Sequence, residues 1–199
     1  MLISFLYFCD IILDFKNQYP GVNMDIIEIG DDAIVEKVQE GSVDIGIVTR
    51  PMNGPEFLSI PIFTDEVVAY LPKKNLLAQK ETVTFHDLEG QSLHMFSSDF
   101  SLYGQIIAGC QQAGFQPNIS STSSQRHFLI DMAQSTNGIA LMPRPIVAKL
   151  TYPAMCIRPF APQFPWTISI ILKKHKYITK AMQALLTHIE DFFEDLRQT

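Results

Sequence analysis

Short apolar runs punctuate this chain, with stretches of helical spacing between them. Val43 to Val48, mostly apolar around Asp44, is one such run, and Ile139 to Met142 is another. A strand covered on one face alternates polar with apolar residues. A run apolar throughout is covered on both faces, which favours a largely parallel sheet between helix layers. The chain therefore reads as α/β. A helix carrying Phe5, Phe8, Ile11, Ile12 and Phe15 stops near Tyr19-Pro20-Gly21. The isoleucine-rich segment Asn23 to Ile29 reads as a strand. A helix starting at Asp31 or Asp32, with Ile34, Val35 and Val38 inward, then ends at Gly41. This strand–helix–strand order predicts a right-handed parallel crossover.

The same reading continues downstream. Strands are predicted over Phe63 to Leu71, Ser92 to Phe96, Gln116 to Ser121 and Trp166 to Leu172. Ser97-Ser98-Asp99 caps a helix to about Gly114, and Ser123-Ser124 caps another with Phe128, Leu129, Met132 and Ala133 inward. The last helix, Tyr177 to Leu196, turns Ile178, Met182, Leu185, Ile189 and Phe192 to one side. Two groups of strand–helix units result, and the final strand and helix return to the first group.

Composition narrows the function. At 199 residues there is room for two lobes, each with a core. The formal net charge is −6, and the densest basic stretch is only Lys173, Lys174, His175 and Lys176, so these residues are a poor match for DNA phosphates. Cys9, Cys110 and Cys156 form neither a disulfide framework nor a zinc pattern. The histidines at 86, 94, 127, 175 and 188 lack metal-ligand spacing. Nucleophile-elbow, zinc-protease and phosphate-loop motifs are absent, so no enzyme, cofactor or metal is expected. Met1 to Leu13 is apolar but has no basic start and is interrupted by Asp10. No run reaches the ~18 residues of a membrane span. A cytoplasmic protein without membrane contact is expected.

Seven segments, in order, resemble landmarks of the LysR-type transcriptional regulator effector domain. They are "FKNQYP" (15–20), "IEIG" (27–30), "GSVDIGI" (41–47), "PIFTDEVVAYLP" (61–72), "AGFQP" (113–117), "GIALMP" (138–143) and "WTISIILK" (166–173). The resemblance implies two Rossmann-like lobes joined by two crossover strands, in the manner of type 2 periplasmic binding proteins. Lobe I would hold 1–71 plus 167–199, and lobe II would hold 72–166. The family's first strand and its winged-helix DNA-binding region have no counterpart here. The implied function is sensing of a small-molecule effector between the lobes. The implied assembly is a homodimer, or a tetramer in the complete regulator. DNA would be bound only through the winged helix.

The family pattern maps effector contacts onto Gly30, Asp31, Thr49, Ser98, Phe100, Ser101, Leu102, Thr122 and Ser123. The residues support the same places independently. In open α/β sheets ligands bind beyond the strand carboxyl ends, where helix starts offer free N–H groups to anions. A carboxylate or amino-acid-like metabolite fits such starts. Asp31 departs from the pattern, because a carboxylate there repels an anion unless it turns away or meets a donor on the ligand. Arg50 is a candidate cation. The alternative function is a solute-binding receptor of the periplasmic type. A peroxide sensor using Cys110 and Cys156 is a lesser reading.

Overall fold

The computed structural model describes residues 7–50, 52 and 54–198, with the side chains of 197 and 198 outside the description. The chain divides into two compact units, Met1–Thr64 with Thr167–Thr199, and Asp65–Trp166.

The first unit contains α1 (Cys9–Gln18), α2 (Asp31–Glu40), β1 (Gly46–Val48), the first part of β2 (Phe57–Pro72), most of β7 (Pro165–Lys173) and α6 (Lys180–Gln198). β1 pairs antiparallel with β7, which lies between β1 and β2. α2 covers this sheet with Val38 against Val48 and Ile171, and Ile34, Val35 and Phe57 pack at the margin. Gly41 closes α2 with φ of 82°, and its N–H donates to the carbonyls of Lys37 and Val38. Only glycine adopts that backbone freely.

α1 and α6 meet over an aromatic cluster in which Tyr7 and Phe63 each lie within 5.8 Å of a ring neighbour, Phe193 among them. Along α6 the buried residues are Met182, Leu186, Ile189 and Phe193. The face is turned by one residue at two positions from the expected one, so Leu185 and Phe192 are only half-buried. Of the residues assigned to the first helix, Phe5 lies outside the described residues.

Asn23 to Ile29 is not a strand. The segment belongs to no helix or strand, and Ile26 and Ile27 stay exposed. An isoleucine-rich segment becomes a strand only where a neighbouring strand takes its N–H and C=O groups, and no described strand lies alongside it. The expected parallel crossover therefore does not occur among the described residues.

The second unit holds the end of β2, β3 (Ser92–Phe96), α3 (Ser101–Gln112), β4 (Asn118–Ser123), α4 (Arg126–Thr136), β5 (Ile139–Pro143), α5 (Arg144–Ala148) and β6 (Met155–Pro159). β3 pairs parallel with β4 and β5, while β2 pairs antiparallel with β5 and β6. The sheet is therefore mixed, parallel only where helices provide the crossovers. On α4 the buried residues are Leu129, Ile130 and Ala133, and Phe128 is exposed, contrary to its expected inward position.

Arg144 starts α5 and pairs with Glu66, which is buried, and more distantly with Asp65 at 3.9 Å. Burial raises the Asp65 carboxyl above its ordinary value, more than the nearby guanidinium lowers it. Removing Arg144 would leave the buried Glu66 carboxylate without its partner, the costlier side on which to break this half-exposed pair.

Candidate functional site

In the first unit, Gly30 is the residue before α2 and Asp31 its first residue. Asp31 is 4% exposed. Its Oδ2 accepts from the Thr49 hydroxyl at 2.5 Å and from the Thr49 N–H at 3.3 Å. Thr49 follows β1, so the strand end is tied to the helix start. The Arg50 guanidinium donates to Asp32 Oδ1 at 2.6 Å. Asp31 is thus turned to its own chain, and the positive end of α2 is already matched by two carboxylates.

In the second unit the remaining residues gather at one sheet edge. The parallel register sets Met95 beside Thr122 and Phe96 beside Ser123. The carboxyl ends of β3 and β4 therefore lie together, each followed within a few residues by a helix. Phe100 precedes α3 and meets Phe96 with ring centroids 5.6 Å apart. Ser97, Ser98 and Asp99 do not cap α3 with their side chains. They form a turn in which the Phe100 N–H donates to the Ser97 carbonyl at 3.0 Å. Ser98 is exposed and Ser101 half-buried. Leu102 is buried in the core, so it has only its backbone N–H to offer. Ser123 ends β4 and accepts the Gln125 N–H at 3.0 Å, leading the chain into α4.

A buried histidine holds this edge in place. His94 on β3 is wholly enclosed. Its Nδ1 lies 2.7 Å from Ser121 Oγ, and its Nε2 lies 2.8 Å from Thr136 Oγ1. Thr136 spends its one hydroxyl proton on the Met132 carbonyl at 2.8 Å, so it accepts from His94. The ring therefore carries its proton on Nε2, and Nδ1 accepts from Ser121. Burial lowers the imidazole below its ordinary value, which keeps it neutral. Gly138 provides the room, because a Cβ there would stand 2.5 Å from the Ser92 carbonyl oxygen and 2.7 Å from His94 Nε2.

Three side chains beside the α4 start were not among the candidates: Arg126, His127 and Tyr152. His127 Nδ1 lies 3.0 Å from the Tyr152 hydroxyl, and Arg126 Nε donates to His127 Nε2 at 3.4 Å. Arg126 and His127 follow the hydroxyl run 120–124 after a single residue, Gln125, which was the available signal. Tyr152 stands in a loop and gave none.

Two open, shallow concavities occur, of about 400 Å³ between the end of α1 and α6, and about 310 Å³ beside β6. None of the nine candidate residues lines either. The case for these nine rests on strand ends and helix starts within each unit. The thiols are all free. Burial pushes the Cys110 thiol up to about 11, which starves it of the reactive thiolate and weighs against peroxide chemistry. Among the described residues no cluster suited to a metal occurs, and no helix is long and apolar enough to cross a membrane.

The family profile described as LysR substrate binding domain matches residues 2–194. The HTH-type transcriptional regulator YwbI of Bacillus subtilis (strain 168) is 30% identical over 190 residues, covering 95% of this chain and 63% of that protein. The transcriptional dual regulator GltC of the same organism is 26% identical over 191 residues, with 94% and 63% covered. The chain thus spans less than two thirds of the length of these relatives. Among solved structures, the effector binding domain of a BenM variant superposes with a TM-score of 0.84 at 16% identity, covering 98% of this chain and 93% of that one. The effector binding domain of QuiR in complex with shikimate gives 0.78 at 17%, covering 95% and 91%. These likenesses show the fold, the two-lobed α/β type shared with type 2 periplasmic binding proteins. Together with the profile match over nearly its whole length, they place this chain in the LysR substrate binding domain family.

Proposed function

We propose that the chain is the sensing part of a LysR-type transcriptional regulator. A small metabolite binds between its two lobes, and binding rearranges dimers or tetramers so that transcription changes. The protein works in the cytoplasm and carries out no chemistry of its own. DNA contact belongs to the winged helix of such regulators, since these residues are acidic overall.

The observation that supports this most is the parallel register Phe96 to Ser123. It sets two strand ends, their hydroxyls and two helix starts at one edge, where backbone N–H groups suit an anion. The effector is a carboxylate or an amino-acid-like metabolite. Its acid group is read by the second unit, and Asp31 leaves the first unit to read a neutral or donating group.

A thermal-shift screen of amino acids, organic acids, aromatic carboxylates and sugars tests this. A binder at a hundredfold excess over Kd stabilises by about 2.7 kcal/mol. Ser123→Trp is expected to abolish that gain while leaving the unliganded Tm close to wild type. Effector binding that survives Ser123→Trp unchanged would remove the second unit's edge from the site.

A further inference from the structure

The concavity of about 310 Å³ beside β6 is formed by α5, the loop 149–154 and the edge of the second unit's sheet. Tyr70 stands at its floor, 3% exposed, on the central strand β2. Tyr70 donates to no group among the described residues, yet its hydroxyl is not sealed off from the concavity. A buried phenol normally finds a hydrogen-bond partner, and here water or a ligand in the concavity supplies it. Burial first, and then the neighbouring Tyr152 and Cys156, raise the Tyr70 phenol above its ordinary value, so it stays a donor.

The rest of the lining has a consistent chemistry. Lys73 is its one cation, has no ion-pair partner among the described residues, and no carboxylate shares the lining. Val147, Leu150, Met155 and Ile157 supply apolar walls. A phenol donor and a cation beside apolar walls suit an acid group on an apolar body. The volume is at the small end for ligand sites.

We propose that this concavity is a second ligand site, distinct from the effector residues, which takes a small monocarboxylate with an apolar body. The carboxylate accepts from Tyr70 and pairs with Lys73.

Phenylacetate is the probe, and phenylacetamide its uncharged counterpart. Tm gives binding, and the rate of Cys156 alkylation by iodoacetamide, read by peptide mass spectrometry, gives location, because Cys156 also lines the concavity. With phenylacetate tenfold above its Kd, Tm rises and Cys156 alkylation slows about tenfold, the unoccupied fraction under mass action. Phenylacetamide does neither. Tyr70→Phe, whose lost hydroxyl hydrogen-bonds no described residue, keeps the unliganded Tm and loses both effects, as does Lys73→Gln. Ser123→Trp keeps both effects, which separates this site from the effector reading.

The proposal is overturned if phenylacetate changes neither readout, if phenylacetamide acts equally, if the effects persist in Tyr70→Phe, or if Ser123→Trp removes them. Should Cys156 resist alkylation even without ligand, the Tm pattern across these variants decides alone.

Discussion

α2 begins on Asp31 and Asp32, whereas the edge from which α3 and α4 start presents Ser98, Ser101, Thr122 and Ser123. Both are helix starts beside strand ends, and both carry the positive end of a helix dipole. The first has met that field with its own carboxylates, one held by Thr49 and the other by Arg50. The second carries hydroxyls, with Asp99 exposed in the turn before α3 and Arg126 first on α4, and is braced from behind by a neutral imidazole. Similar backbone geometry is therefore dressed in two ways. At one end two carboxylates meet the helix dipole and are held by Thr49 and Arg50, and at the other hydroxyls predominate.

The largest test of this contrast falls on the brace. Gly138→Val forces side-chain atoms onto the Ser92 carbonyl and the His94 ring, and is expected to destabilise the chain by about 3 kcal/mol in chemical denaturation. A loss below about 1 kcal/mol would mean that the edge is less rigidly held than the His94 bonds indicate.

Asp31→Ala comes next. It leaves the buried Thr49 hydroxyl without its carboxylate acceptor, for an expected loss of about 1–3 kcal/mol, and Asp31→Asn should recover part of it. The comparison sharpens in titrations of a carboxylate effector. If the acid is read by the second unit, Asp31→Asn changes its affinity less than about threefold. A gain of tenfold or more, about 1.4 kcal/mol, would place the acid at α2 instead.

The acid response is smaller. The His94 value is lowered in the folded state, so below the ordinary imidazole value of 6.5 the unfolded chain takes up the proton more readily. Stability is expected to be full above that pH and to fall as pH drops beneath it. Comparison of Tm at successive pH values with a His94→Gln chain isolates this contribution. An unchanged slope in the variant would contradict a neutral His94. The smallest effect belongs to Arg50→Gln, expected to cost less than about 1 kcal/mol because Asp32 is exposed.

The sequence carried more of the helices than of the sheet. Gly41 marked a helix end because it adopts a left-handed backbone, as Asn137 does at the end of α4. β6 went unread, since Met155–Pro159 is short, half-buried and closed by proline, the habit of an edge strand. Asn23 to Ile29 was overread, because strand propensity is local and a ladder is not. At the site, hydroxyls near strand ends were legible as a pattern. Their register was not, because pairing Phe96 with Ser123 depends on contacts far apart in sequence. Nor was the His94 brace, which joins residues 94, 121, 136 and 138 through space.

Those four positions also bear on how such a sequence can drift. His94 supplies two opposed polar vertices, Ser121 and Thr136 each supply the complementary group, and Gly138 supplies the vacancy. A change at any one strands a buried partner or closes the space another occupies. In relatives that keep this packing the four should covary, changing together or not at all. A statistical link between a strand residue and a glycine 44 positions later would then reflect one proton shared between side chains and one missing methyl group.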